Sequence, residues 1–142
     1  MSERLAADTA ATGSGPCILV VEDDALFVMM LEQMLEDLGY SSIKAAHIGR
    51  AMDLAATADV DGAILDLHVT GGEVYPVADE LRRRGIPFVF STGSGPGGLR
   101  SDYRTWPTLT KPFLDNDLER ILAATLAPRV IAGQRRRSRS GS

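Results

Sequence analysis

Short apolar runs alternate along the chain with longer stretches whose apolar residues recur every three or four positions. The first run, CILVV at 17–21, is uninterrupted, which is typical of a strand buried on both faces of a parallel sheet. Further strands are predicted over 40–46, 63–67, 86–90 and 108–110. The run at 40–46 is the weakest apolar pattern and is expected near a sheet edge. Strands that alternate with helical stretches indicate βα units.

Helices are predicted over 24–38, 49–58, 74–84 and 114–126. Asp24 is a candidate N-cap for the first, and Gly39 and Gly85 are placed to end the first and third. The segment between the last two strands is mostly Gly, Ser and Pro, and it has room for a turn or two of helix at most. The pattern therefore predicts an α/β fold with one doubly wound, five-stranded parallel sheet, in which the fourth helix is short or missing.

The chain of 142 residues fits one domain, and its 44% hydrophobic residues suffice for a core. Residues 1–15 are small and polar and 128–142 are rich in Arg and Ser, so both segments are predicted to be disordered around a domain at 16–127. The single cysteine, Cys17, excludes an internal disulfide. No apolar run approaches the ~20 residues of a membrane span, and the N-terminus lacks a signal-peptide pattern. We therefore expect a cytoplasmic protein.

Charge is distributed unevenly along the chain. The net charge is −4, although residues 128–142 carry five arginines and no acid, so the remainder is more acidic than the total suggests. An acidic body disfavours nucleic acid and anionic membranes as partners. The arginine-rich segment is interpreted as an accessory or solubilising tail, with non-specific phosphate contact as the alternative.

Four features that carry polar residues fall at the carboxyl ends of four of the five predicted strands. These are Glu22, Asp23 and Asp24; Asp66; Ser91 and Thr92; and Lys111 and Pro112. Taken singly, each is typical of an ordinary turn, cap or surface residue. Because the carboxyl ends of parallel strands meet at one edge of the sheet, where ligands bind in open α/β folds, the four features together predict a functional site.

The runs ILVVEDD, ILDLHVTGG, PFVFSTG and LTKPF resemble the landmarks of bacterial response-regulator receiver domains of the CheY-like type, and the resemblance extends over about residues 16–127. It implies a flavodoxin-like sheet in the order 2-1-3-4-5. PFVFSTG also resembles the PFxFATG signature of single-domain receivers that are linked to general stress signalling in alphaproteobacteria. Ser91 stands where that signature has Ala, and Ser94 stands where Tyr or Gly is common.

The resemblance implies a role for each polar residue. Asp66 would accept a phosphoryl group, and an ionised aspartate needs no general base to attack phosphorus. Mg²⁺ would be the cofactor, because it cancels charge between approaching anions and is held by few carboxylates. Its implied ligands are Asp23, Asp66, the backbone carbonyl of His68 and, through water, Glu22. Lys111 would contact the phosphoryl group beside a cis bond to Pro112, and Thr92 would be the switch hydroxyl.

One position departs from the family pattern. Receivers commonly carry Tyr or Phe three residues before the lysine, whereas this chain has Thr108. Tyr103 and Trp106 are near in sequence but out of register. Together with the Gly-rich run at 93–98, this leads to the hypothesis that 93–106 orders around the phosphoryl group, in place of an ordered fourth helix that moves.

The expected partners are a histidine kinase, a histidine phosphotransfer protein or both, with an unidentified protein downstream. The chain is expected to be a self-catalysed phosphoacceptor with slow autodephosphorylation and not an enzyme. A pseudo-receiver that never takes phosphate is one alternative. A Mg²⁺-dependent phosphatase with an aspartyl intermediate is a weaker one, because haloacid-dehalogenase-type enzymes place the nucleophile after the first strand in a DxD pattern. His47 and His68 lack the spacing of metal ligands.

Overall fold

The computed structural model of the chain describes residues 15–126. The disorder predicted for 1–15 and 128–142 therefore lies outside the described residues, apart from Gly15. Within them, no helix is long and apolar enough to cross a membrane.

A five-stranded parallel sheet forms the centre of the structure. Its strands are β1 (Cys17–Val21), β2 (Ser41–Ala45), β3 (Gly62–Asp66), β6 (Phe88–Thr92) and β7 (Thr108–Thr110). Two further strands of two residues each, β4 (His68–Val69) and β5 (Gly72–Glu73), form an antiparallel hairpin directly after β3. The order of the main sheet is β2-β1-β3-β6-β7, and all its pairs are parallel. The predicted flavodoxin-like order is confirmed, and β2 lies at an edge as expected.

Helices cover both faces of the sheet. They are α1 (Ala25–Asp37), α2 (Ile48–Thr57), α3 (Tyr75–Arg83) and α4, which extends from 115 to 126, the last described residue. Side chains alternate between two cores along each buried strand: Leu19 joins the core beneath α2 and α3, and Val20 joins the core beneath α1 and α4. Asp24 caps α1 by accepting from two backbone N–H groups, as predicted.

No fourth α-helix lies between β6 and β7 in the described chain, which confirms the prediction for this segment. Two 3₁₀ turns, Pro96–Gly98 and Ser101–Tyr103, replace it. Leu99 and Tyr103 are 2% and 0% exposed, so the second half of the segment is packed into the core. The Tyr103 ring stacks on Tyr75 and meets Phe90 edge-on, which fills the volume that a fourth helix would cover.

The structure shifts one strand boundary that bears on the site. The apolar run at 86–90 predicts a strand there, but β6 begins at Phe88 and continues through Ser91 and Thr92. Pro87 has no N–H to give to the ladder, whereas Ser91 pairs with Asp66 and Thr92 with Thr110. The two hydroxyl residues are therefore fixed by the sheet and do not lie in a loop.

Candidate functional site

Three acidic side chains converge at the carboxyl ends of β1 and β3. Glu22 and Asp23 follow β1 directly, and Asp66 is the last residue of β3. Each offers an oxygen that lies within 4.8 Å of the others. Glu22 is buried, Asp66 is half-buried and Asp23 is exposed. These are the residues that the sequence predicted as a metal site, and the fold brings all three together.

Lys111 reaches into this cluster from the end of β7. Its Nζ lies 2.7 Å from Oε1 of Glu22 and 3.4 Å from Oδ1 of Asp66. The bond from Lys111 to Pro112 is cis, as predicted, and the Lys111 backbone N–H donates to the carbonyl of Thr92. The ammonium group also lies 4.4 Å from the centre of the Phe27 ring. The lysine is thus held between a buried acid, the candidate phosphoacceptor and an aromatic face.

The protonation of the cluster is set by burial and by its mutual charges. Burial raises the pKa of Asp66 to about 6, and the negative charge of Glu22 adds to this rise while Lys111 opposes it. For Lys111 burial favours the neutral form, but the hydrogen bond to Glu22 and the charge of Asp66 outweigh it and raise the pKa of the ammonium group. The lysine is therefore a cation at neutral pH.

Thr92 lies beside Asp66 on the next strand of the sheet. It follows Ser91, the β6 residue that pairs with Asp66, and its side chain is buried. The Thr92 hydroxyl oxygen accepts a hydrogen bond from the backbone N–H of Ser94 at 3.1 Å. Ser91 is also buried, and its hydroxyl has no hydrogen-bond partner among residues 15–126. Thr92 is the hydroxyl that the structure ties directly to the glycine-rich segment.

The remaining predicted site residues lie at varying distances from the cluster. His68 is in β4, two residues after Asp66, and its side chain is exposed as expected. Thr108 begins β7, at the opposite end of that strand from Lys111, and its hydroxyl donates to the Trp106 carbonyl. His47 accepts from the Gly49 N–H and so caps α2. The metal role of the His68 carbonyl stays a prediction.

Three side-chain contacts, the first two of them at the site, had no signal in the sequence. Thr70 donates its hydroxyl to Asp23 at 3.0 Å, although the sequence places the two far apart. The Phe27 ring beneath Lys111 belongs to an ordinary helical apolar pattern. The hydroxyl of Tyr103 donates to Asp79 at 2.7 Å, and burial raises the pKa of this phenol to about 12. Only side-chain packing reveals such pairs.

The donor set of the cluster fits Mg²⁺. The ion prefers oxygen ligands and is commonly bound by one or two carboxylates, with its other positions left to water or phosphate. Asp23 and Asp66 supply such oxygens, and buried Glu22 already has Lys111 as a positive partner. The cluster also lies at the carboxyl edge of the sheet, where a phosphoryl group would have access.

Comparisons with known proteins give matches among solved structures. No protein-family model and no curated protein matches the chain. The solution structure of SdrG from Sphingomonas melonis Fr1 is similar, with 39% identity over 77% of this chain and 94% of SdrG and a TM-score of 0.69. The BeF3-activated conformation of SdrG from Pseudomonas melonis Fr1 gives 40% identity over 76% and 93%, with a TM-score of 0.66.

A third match has a metal in its site. It is the receiver domain of the sensor histidine kinase PA1611 from Pseudomonas aeruginosa PAO1, which was solved with a magnesium ion coordinated in the active site cleft. Identity is 27% over 80% of this chain and 99% of that one, with a TM-score of 0.72. The chain thus shares its fold with these three structures, each of which it covers to 93% or more.

Proposed function

Because the chain belongs to the family of CheY-like receiver domains, we propose that it is a response regulator that accepts a phosphoryl group on Asp66. One observation carries this proposal: Asp66 lies within 4.8 Å of two further carboxylates and 3.4 Å from the Lys111 ammonium group. A surface turn aspartate would have no reason to gather a buried acid and a partly buried lysine around it, since burying either charge costs desolvation energy.

The transfer chemistry follows from these positions. An oxygen of the Asp66 carboxylate attacks the phosphorus of a phosphohistidine, and the phosphorus–nitrogen bond breaks. The imidazole nitrogen keeps the electron pair and takes a proton from solvent, and an aspartyl phosphate remains. Lys111 is 3.4 Å from Asp66 and can contact a phosphoryl oxygen, and the Thr92 hydroxyl can donate to another.

The proposed cofactor is Mg²⁺, held by Asp23, Asp66 and the His68 carbonyl, with Glu22 acting through water. When bound, it supplies the positive charge that lets an anionic phosphoryl donor approach an anionic carboxylate. The magnesium ion in the PA1611 receiver supports this assignment. The three carboxylates that lie within 4.8 Å of one another also support it, because they supply the oxygen ligands that Mg²⁺ prefers.

The proposed donor is a histidine kinase or a histidine phosphotransfer protein. The large hydrophobic side chains that are exposed in residues 15–126 are Leu26, Met29, Met30 and Leu114. The first three share one face of α1 by helical spacing, and Leu114 follows Phe113, whose ring contacts Phe27 edge-on at 5.8 Å. An exposed apolar stripe on α1, the helix that follows Glu22 and Asp23, supports docking of a protein donor.

Membership of the general-stress subgroup, a cytoplasmic location and a phosphate-shuttling output are part of the same proposal. The run PFVFSTG supports the subgroup, and the BeF3-activated form of SdrG supports activation at the phosphoacceptor, since it is 40% identical to this chain. The downstream partner is taken to be a protein, because the acidic body is a poor match for nucleic acid.

The test is treatment of the full chain with acetyl phosphate and Mg²⁺, read by intact mass. The wild type is expected to gain one phosphoryl group, and Asp66→Ala and chelator-treated protein are expected to gain none. Asp53→Asn, which changes an exposed aspartate on α2, is the matched control and should label normally. Labelling that persists in Asp66→Ala would overturn the assignment of the phosphoacceptor.

An unlabelled wild type is resolved by a second measurement. Amide NMR shifts with beryllofluoride and Mg²⁺ respond to occupation of the site whatever the lifetime of the phosphoryl group. Shifts around Asp66 without mass gain would indicate rapid turnover, and their absence would favour the pseudo-receiver alternative. Many phosphates released per chain from acetyl phosphate would favour the phosphatase alternative.

A further inference from the structure

Thr70 contacts the most exposed member of the acidic cluster. Its hydroxyl donates to Oδ2 of Asp23 at 3.0 Å, and it is the hydrogen-bond donor that the described residues offer to this carboxylate. We propose that Thr70 is a positioning residue, which holds Asp23 in the orientation that binds Mg²⁺. The inference rests on the proposed function, because that function requires Asp23 as a ligand.

Asp23 needs such a partner because its surroundings leave it free to rotate. It lies in the short connection between β1 and α1, and its side chain is exposed, unlike buried Glu22 and half-buried Asp66. An exposed carboxylate loses rotamer freedom when it binds an ion, and that loss weakens binding. A hydrogen bond formed before the ion arrives reduces the loss.

Thr70 can hold Asp23 in place because its own backbone is fixed by contacts with the start of α2. It lies in the turn of the β4–β5 hairpin, where its carbonyl accepts the Ile48 N–H at 2.9 Å and it forms a parallel bridge with His47. The next residue, Gly71, has a φ of 101°, and a Cβ there would lie 2.6 Å from Ile48 Cγ2. The turn is pressed against the start of α2, so Thr70 cannot follow a displaced Asp23.

The chemistry of the contact suits a metal ligand. A carboxylate has two oxygens, so one can accept from Thr70 while the other faces an ion. A hydroxyl is neutral and leaves the full negative charge of Asp23 available, whereas a lysine in this position would compete with the cation. Partners that orient metal ligands typically change metal affinity by ~10–100-fold, and exposure to water favours the lower end, about tenfold.

The test compares Mg²⁺ affinity of the full chain in wild type, Thr70→Val and Thr70→Ser by isothermal titration calorimetry. Thr70→Val keeps the branched shape but removes the donor, and it is expected to weaken Mg²⁺ binding about tenfold. Thr70→Ser keeps the hydroxyl and should bind close to wild type. Thr57→Val is the control, since its hydroxyl donates to a backbone carbonyl at the end of α2, away from the cluster.

Two further readouts separate positioning from a structural effect. Metal-free Thr70→Val should unfold at the same urea concentration as Thr57→Val, and saturating Mg²⁺ should restore its rate of labelling by acetyl phosphate. Wild-type affinity in Thr70→Val, or equal weakening in Thr70→Ser, overturns the role of the hydroxyl and leaves the proposed function intact. A wild type that binds no Mg²⁺ overturns the magnesium-dependent function itself.

Discussion

Lys111 is closer to Glu22 than to Asp66: its Nζ is 2.7 Å from the Glu22 carboxylate and 3.4 Å from that of Asp66. The side chain of Glu22 is 4% exposed, so its charge depends on this partner far more than the half-buried Asp66 does. In the metal-free chain the lysine therefore balances the buried acid first. We expect Lys111 to change its anionic partner when a cation or a phosphoryl group binds.

This geometry predicts the effect of Lys111→Met on stability. The metal-free variant leaves Glu22 buried without a positive partner, and we expect the free energy of unfolding to fall by about 1–3 kcal/mol. Mg²⁺ supplies the missing charge, so it should stabilise the variant more than the wild type. Urea unfolding with and without Mg²⁺ measures both effects.

Lys44→Met is the matched control for that experiment. Lys44 pairs with Glu32 at 3.8 Å, but its side chain is 61% exposed. The free energy of unfolding should therefore fall by less than about 0.5 kcal/mol. Equal destabilisation by the two substitutions would show that the Lys111–Glu22 pair is no stronger than a surface pair.

The raised pKa of Asp66 predicts a pH-dependent gain in stability from Asp66→Asn. Folding raises this pKa from 3.8 to about 6, so between these values the native state holds a proton that the unfolded chain has released. The contribution of Asp66 to the free energy of unfolding of the wild type therefore falls as the pH rises through that window. The metal-free Asn variant lacks this pH-dependent loss. Its free energy of unfolding should therefore exceed that of the wild type by about 1–3 kcal/mol at pH 7.

The check is urea unfolding of both proteins at pH 4 and pH 7 in chelator, with Asp53→Asn as the control. The advantage of Asp66→Asn should be small at pH 4 and should grow towards pH 7, whereas the control should show no such trend. An advantage that is the same at both pH values would mean that burial and Glu22 do not raise this pKa.

The strands of the sheet and the polar residues at their ends could be predicted from the sequence because both depend on local patterns. Continuous apolar runs fix the buried strands, and polar residues at their ends must meet at one edge of a parallel sheet. Asp66, Lys111 and Thr92 were placed in this way. Glycine content likewise predicted that no full helix would form between β6 and β7.

Side-chain pairing across long sequence separations could not be predicted in the same way. The Lys111–Glu22 hydrogen bond joins residues 89 positions apart, and the Thr70–Asp23 bond spans 47. The periodicity of apolar residues predicts where helices and strands lie. Which side chains then pair depends on their rotamers and on tertiary packing. The β4–β5 hairpin was also missed, because strands of two residues leave no periodic pattern.

Packing refines the predicted response of segment 93–106. Leu99 and Tyr103 are buried, and Arg100 bonds Asp79 and Asp102, so the second half is already held against α3. Ordering around a phosphoryl group should therefore be confined to 93–98. We expect beryllofluoride with Mg²⁺ to slow amide hydrogen exchange there, while 99–106 stays protected in both states.

Hydrogen exchange read by mass spectrometry, with Thr92→Val as the comparison variant, tests this response. The Thr92 hydroxyl accepts from the Ser94 N–H, so its loss should uncouple 93–98 from the occupied site. Exchange at 93–98 that beryllofluoride leaves unchanged in the wild type would rule out the order–disorder switch. Slowed exchange across all of 93–106 would instead show that the packed half also moves.

The apolar stripe on α1 predicts a variant that separates a protein donor from a small one. Met29 and Met30 are 62% and 45% exposed on α1 and neither belongs to the acidic cluster, so Met29→Glu should leave labelling by acetyl phosphate unchanged. Transfer from a histidine kinase that phosphorylates the wild type should slow about tenfold, which corresponds to ~1.4 kcal/mol of lost docking energy.

Ala56→Glu adds the same charge on α2, on the other face of the sheet, and should slow neither reaction. If Met29→Glu slows both reactions equally, the substitution disturbs the site itself; if it slows neither, the donor docks elsewhere.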